Sequence, residues 1–213
     1  MTPLLRWGDA LLKLELFGPR GSVSDRATPP SGAAEVSGNQ AISFARQGAE
    51  FALRGAVTHE MVEALRLWGA RVVARAPPWH PDPAAFAATL GAELLEQLAQ
   101  PPARLICPAG EGEALLGALA ALRKRWPQVR GVALVAADAE LPDLPPSADL
   151  PAEIERVAVT CAAAGSARTR VARELGLLAN HAGSAAALYA HEHGGVAIVT
   201  ASGEREFSLE GAP

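Results

Sequence analysis

Gly18-Pro19-Arg20-Gly21-Ser22-Val23-Ser24-Asp25-Arg26 separates an alternating apolar stretch, residues 11–17, from one broken by Pro29, Pro30, Ser31 and Gly32. The alternation predicts a strand, and Gly18-Pro19-Arg20-Gly21 supplies the turn residues that end it. Residues 27–34 then read as a short connector, because two prolines and a glycine leave no run long enough for a helix. Past the connector, Ser37 or Asn39 offers an N-cap oxygen to a helix over residues 40–47, which Gly48 stops. A strand, a turn, a connector and a capped helix begin a repeated β then α order.

That order continues along the chain. Residues 49–53 read as a strand. Thr58 caps a helix through Met61, Leu65 and Trp68, and Gly69 closes it before a strand over residues 71–75. Pro77, Pro78, Pro81 and Pro83 form a linker. Phe86, Leu90, Leu94, Leu95 and Leu98 then recur at helical spacing over residues 84–100. Strands follow over 104–107, 132–135, 154–160 and 196–199, with helices over 111–125, 162–175 and 184–192. Residues 141–151 carry Pro142, Pro145, Pro146 and Pro151 and read as an irregular loop. Alternation of this kind predicts an α/β fold with largely parallel sheets covered by helices.

Composition excludes several functional classes. A chain of 213 residues can bury a sizeable core as one large domain or two small ones. With 49% hydrophobic and 20% charged residues it has an ordinary globular composition. A net charge of -4 with no basic run gives no footprint for nucleic acid or an anionic membrane. No apolar run reaches the 18 or so residues of a membrane span, and no signal-like segment opens the chain, so the expected location is cytoplasmic. Cys107 and Cys161 lack metal spacing and are both expected to be buried as small hydrophobes.

Read with Thr2-Pro3-Leu4 before it and Ser37-Gly38-Asn39 after it, the segment at residues 18–26 resembles a catalytic segment of the cysteine synthase and cystathionine β-synthase family. Three further segments keep the same order: residues 58–73, Val171-Ala-Arg-Glu-Leu-Gly-Leu177, and Ser202-Gly-Glu-Arg205 after an apolar strand. The resemblance implies a shortened tryptophan synthase β-like fold with two subdomains. Residues 35–102 would form the smaller one, and 1–34 with 103–213 the larger. In that family a long helix fills the interval taken here by residues 27–34, so the connector reads as a deletion.

The resemblance also implies pyridoxal phosphate as cofactor, and here the residues depart from it. The family's Schiff-base lysine is replaced by Ser24. Only a primary amine condenses with the cofactor aldehyde and later carries the substrate proton. Lys13 and Lys124 are the only lysines, and both read as strand-end or surface cations away from position 24. The family's phosphate loop, Gly-Thr-Gly-Gly-Thr, is matched by Gly110-Glu111-Gly112-Glu113-Ala114. Carboxylates at a helix N-terminus stabilise the helix but repel a phosphate dianion. The substrate loop is half kept as Val36-Ser37-Gly38-Asn39-Gln40-Ala41, and Ser202 stands where the family contacts the pyridine nitrogen.

The remnant ligand-binding positions are therefore Ser37, Gly38, Asn39, Gly110, Gly112 and Ser202, with no catalytic residue and no cofactor expected. The expected function is that of a pseudoenzyme, a catalytically inactive relative that binds or regulates. It would associate as a dimer or other homo-oligomer, or with a related protein. Two alternatives stand beside it: an enzyme with a repurposed site using Asn39, His181 or Ser202, and a binder of a small amino acid or anion through Ser37 to Asn39. No metal is expected. His191 and His193 lie two apart on a helix and face different directions, and His59-Glu60 and Asn180-His181 are isolated pairs. Trp7, Trp68, Trp79 and Trp126 are scattered, as packing residues would be.

Overall fold

The computed structural model describes residues 1–19, 21–36, 38–45, 48–53, 59–138, 144 and 150–201. Leu4–Trp7 (β1) and Ala10–Leu14 (β2) form an antiparallel hairpin. β1 is too short to show alternation and is not legible in the sequence. The strand expected over residues 11–17 ends at Leu14. Glu15–Phe17 instead form a 3-10 turn, closed by the Gly18 N–H donating to Glu15 O at 2.8 Å. Residues 27–33 contain no helix, in line with their prolines, and lead into Ala34–Val36 (β3).

Gly38–Ala45 (α1), Glu50–Leu53 (β4), His59–Leu67 (α2) and Arg71–Val72 (β5) follow. The last strand stops three residues before its expected end, although the Val73 N–H still donates to Phe51 O ahead of the prolines. Pro83–Phe86 (α3), a π turn over Ala87–Gly91 and Ala92–Gln97 (α4) make one continuous helical segment. Asp82 caps it by accepting from the Ala84 N–H at 2.8 Å, with Pro83 at the first helical position where its missing donor costs nothing.

Arg104–Pro108 (β6), Gly112–Arg125 (α5), Arg130–Ala136 (β7), Glu155–Val159 (β8), Cys161–Leu175 (α6), His181–His193 (α7) and Gly195–Val199 (β9) complete the order. α6 is capped by Thr160 and ended by Gly176 in the left-handed conformation. α7 begins three residues earlier than expected because Asn180 caps it, accepting from the Gly183 N–H at 2.6 Å. Cys161, on the first turn of α6, is exposed rather than buried, whereas Cys107 is buried in β6. A helix start at a sheet edge offers Cys161 no apolar layer to enter. The loop expected over residues 141–151, and Thr58, fall largely outside the described residues.

Two sheets result. One has six strands in the order β1-β2-β9-β6-β7-β8, parallel except for β1 with β2, and the other has β3-β4-β5, all parallel. The expected α/β architecture with largely parallel sheets covered by helices is present. Alternation along the central strands sends Leu105, Cys107, Ala133, Val135, Val196 and Ile198 to one core, shared with Leu115 and Leu122 of α5. Ile106, Val132, Leu134, Ala197 and Val199 go to the other, shared with α6 and α7. Both faces are thus covered, which is why these strands read as continuous apolar runs. The first core extends through Phe86 and Leu90 to Val36, Phe44, Phe51 and Leu65 around the smaller sheet. The division at residues 35–102 is carried forward as a proposal: β3 to β5 form their own sheet, while the helical segment 83–97 lies on α5.

Trp7 and Trp126 are buried and Trp68 and Trp79 pack at the core margin, so all four tryptophans serve packing. Among the described residues no helix is long and apolar enough to cross a membrane.

Candidate functional site

The carboxyl ends of β2 and β9 and the start of α7 meet at the turn that carries Ser24, the end of the sheet at which open α/β folds bind ligands; here Ser22, Ser24, Asn180 and Thr200 are all buried. The Ala201 N–H donates to Gly21 O at 2.8 Å, so the turn is fastened to the end of β9. Ser22 caps the 3-10 turn Val23–Arg26, its hydroxyl accepting from the Ser24 N–H at 3.1 Å. Ser24 itself is buried, and position 24 presents a hydroxyl, not an amine. Beside it the Asn180 N–H donates to Thr200 O at 3.0 Å. Gly183 packs so tightly on this corner that a Cβ there would lie 2.8 Å from both Thr200 N and Thr200 O. Thr200 is fully buried, and among the described residues its Oγ1 has no hydrogen-bond partner.

Of the remnant positions, Gly38 and Asn39 form the first turn of α1, while Ser37 and Ser202 lie outside the described residues. Gly110 lies in a 3-10 turn, Ala109–Glu111, that runs directly into α5 at Gly112. Glu113, in the first turn of α5, accepts through its carboxylate from His80 Nδ1 of the linker at 2.7 Å. A Cβ on Gly112 would come within 2.9 Å of Leu150 Cδ2, so that leucine sits directly on the glycine. His181 begins α7. His191 stacks on Trp7 with ring centroids 4.2 Å apart, and His193 stacks on Tyr189 at the same separation. The two rings face different partners, and among the described residues no group of three or more His, Cys, Asp or Glu is placed to hold a metal.

Lys13 corrects the sequence reading. It is fully buried, not a surface or strand-end cation. Its Nζ donates to Thr2 O at 2.8 Å, Glu93 Oε2 at 2.6 Å and Gln97 Oε1 at 2.8 Å, which uses all the N–H groups an ammonium has. Arg26 sits beside it, giving Nε to Glu15 Oε2 at 2.7 Å and Nη1 to Glu93 Oε1 at 2.9 Å. Its Nη2 reaches Glu15 Oε1 at 2.8 Å and Thr2 Oγ1 at 3.0 Å. Thr2 Oγ1 in turn donates to Glu15 Oε1 at 2.6 Å. Burial pushes the Glu93 carboxyl upward, but hydrogen bonds from Arg26 and Lys13 outweigh it and bring its pKa down to about 2. Burial likewise draws Lys13 below its ordinary value, against the pull of Glu93. For Arg26 burial is the opposing effect, and the bonds to Glu15 and Glu93 hold it above its ordinary value. A signal for this cluster stood in the sequence. Lys13 and Glu15 are charged residues two apart in an apolar strand, and Glu93 and Gln97 are four apart on one helix face.

The two sheets, of six and three strands with helices on their faces, define the tryptophan synthase β-like fold. Solved structures of three cysteine synthase-type enzymes have the same arrangement. O-ureido-L-serine synthase, as a mutant with O-ureido-L-serine bound, superposes with a TM-score of 0.79 at 22% identity, covering 98% of this chain and 89% of that one. The O-acetylserine-dependent cystathionine β-synthase of Helicobacter pylori gives 0.77 at 17% identity, over 97% of this chain and 94% of that one. Cysteine synthase of Entamoeba histolytica gives 0.77 at 16% identity, over 98% and 87%. These likenesses establish the fold. No family model and no curated protein matches the sequence.

The residues present do not fit pyridoxal phosphate. Position 24 lacks the amine, Lys13 has every N–H engaged in the buried cluster, and Lys124 is exposed in the last turn of α5. At the start of α5, Glu113 and Leu150 stand where an anion would need backbone donors free of negative charge.

Proposed function

We propose that this chain is a non-catalytic protein built on the cysteine synthase-type fold, and that it acts by association, with a second copy of itself or with an active enzyme of the same fold. The observation that carries this reading is the hydroxyl of Ser24 in a capped, buried turn. The 3-10 turn is capped and fastened to β9, so the segment is kept as structure although the group that would do chemistry is gone. Neither lysine supplies a substitute, since one is saturated and the other lies in the exposed last turn of α5. A well-formed scaffold with a hydroxyl in place of an amine at position 24 suits a protein that presents a surface.

The test is direct. Purified protein is mixed with pyridoxal phosphate, its visible spectrum recorded, and the mixture reduced with borohydride before peptide mass mapping. No lysine-bound band and no adduct are expected; a stoichiometric adduct on Lys13 or Lys124 would overturn the non-catalytic reading. Light scattering alone and with a cysteine synthase tests association. A monomer that forms no complex removes it.

A second reading has one supporting atom. The buried Thr200 hydroxyl, with no partner among the described residues and next to the Asn180-capped start of α7, suits a small polar ligand reaching this corner. Thermal stabilisation by millimolar serine, cysteine or O-acetylserine would favour it, and no shift at high concentration would remove it.

A further inference from the structure

Residues 77–83 pass from the smaller sheet to α5, and each part of this span is docked. The Glu35 N–H donates to Pro77 O at 2.7 Å and the Trp79 N–H to Glu35 O at 3.1 Å, so the linker runs beside β3 as an added short strand. The Trp79 ring meets Phe44 of α1 edge-on at 5.4 Å. The next residue, His80, makes its 2.7 Å contact with Glu113 in the first turn of α5. Three residues on, Pro83 O lies against Gly117, where a Cβ would fall 2.1 Å from it. Only glycine at 117 permits that approach. Leu150 closes the same helix start over Gly112 from the other side.

We infer that the turn at Gly110–Glu113 acts as a clasp and not as an anion cradle: its partners are the His80 imidazole and the Leu150 side chain of this same chain, and it straps the smaller sheet to α5 instead of binding a phosphate. An external phosphate at the helix start would have to lie beside the Glu113 carboxylate and displace Leu150. Repulsion and lost apolar burial both oppose it. A helix N-terminus with free amides would attract the anion, so the two cases separate cleanly in experiment. The inference does not rest on the non-catalytic reading, because a chain with a working amine elsewhere would still have this turn occupied.

Two measurements test it. In an amide NMR titration of the whole chain with inorganic phosphate to ~20 mM, a range chosen to exceed typical weak-anion binding, residues 110–114 are expected to show no saturable shift. A saturable shift there overturns the inference. The clasp itself is read from a thermal double-mutant cycle of His80→Ala and Glu113→Gln. Each single variant is expected to lower the melting temperature by ~1–3 °C, the scale of a partly exposed pair in a domain of this size, with no further loss in the double. Additive losses would show that the two side chains do not act on each other. Both positions are solvent-accessible, so the cycle is read on folded protein. Glu113→Thr with Leu150→Ala supplies the positive arm, a saturable phosphate shift at residues 110–114, and a folded double variant without one would overturn the claim that Glu113 and Leu150 are what keeps phosphate out.

Discussion

Lys13 Nζ stands 2.6 Å from Glu93 Oε2, across 80 residues of sequence, and the pair lies at the seam between the hairpin and α4. Arg26 Nη2 shares the same carboxylate oxygen at 2.9 Å. Glu93 therefore bridges two cations, one fully buried and one nearly so, while Glu15 on Arg26 supplies the second carboxylate that balances the cluster. Removing a single partner from such a group is costly, because the charges left behind have lost water and gained nothing. Glu93→Ala is expected to cost about 3 kcal/mol, the low end of the range for buried pairs, since the edge of Glu93 reaches solvent. Lys13→Met should cost less than half as much, because Glu93 keeps Arg26. Urea unfolding of the three proteins checks the order, and equal losses would contradict it.

The same carboxylate gives a pH dependence with a defined sign. Its folded pKa is depressed to about 2, below the ordinary unfolded value of roughly 4.3. The unfolded chain thus binds the proton more readily in that interval. The stabilisation is complete above about pH 4.3 and is lost as pH falls toward 2. Melting temperatures of wild type and Glu93→Gln should differ by a constant amount above that window and converge below it. A difference that persisted unchanged to pH 2 would mean that Glu93 charge is not what holds the cluster.

Much of the fold was legible because parallel strands buried on both faces read as short apolar runs, and because Gly69, Gly176 and the linker prolines punctuate them. The strands that escaped were β1 and β3, of four and three residues, too short to show a period. The cluster escaped for a different reason. Lys13 reads as a solvated cation when strand and helix are taken separately, and only the tertiary pairing of β2 with α4 supplies Glu93 and Gln97. The substitution at Ser24 and the acidic turn at Glu113 were plain in the sequence, whereas His80 as the partner of that turn was not, since 33 residues separate them.

Glycines at two helix positions should respond oppositely to alanine. In Gly183→Ala the new methyl would press on Thr200 N and O at 2.8 Å and on Asn180 Oδ1 at 2.9 Å, with backbone on two sides. A loss of ~1–3 kcal/mol is expected, and with it the packing of the corner at Thr200. Gly165→Ala, inside α6 with open space around it, should instead gain ~0.5–1 kcal/mol from helix propensity. Chemical denaturation distinguishes these, and a stabilising Gly183→Ala would show that the corner of β9 and α7 is looser than its contacts indicate.

Ser24→Lys tests the proposed role of the missing amine at position 24 apart from the rest of the site. If the absent lysine were the whole difference from the enzymes of this fold, the variant would take up pyridoxal phosphate and show a lysine-bound band. It is expected not to, because the start of α5 remains closed by Glu113 with His80 and by Leu150 on Gly112. Circular dichroism first establishes that the variant folds, since position 24 is buried and a lysine there must find room in a turn fastened at Gly21 and capped at Ser22. With folding shown, absorbance and borohydride trapping decide the matter. A trapped adduct at position 24 would mean that the amine alone was missing and that the turn at Gly110–Glu113 still admits the phosphate.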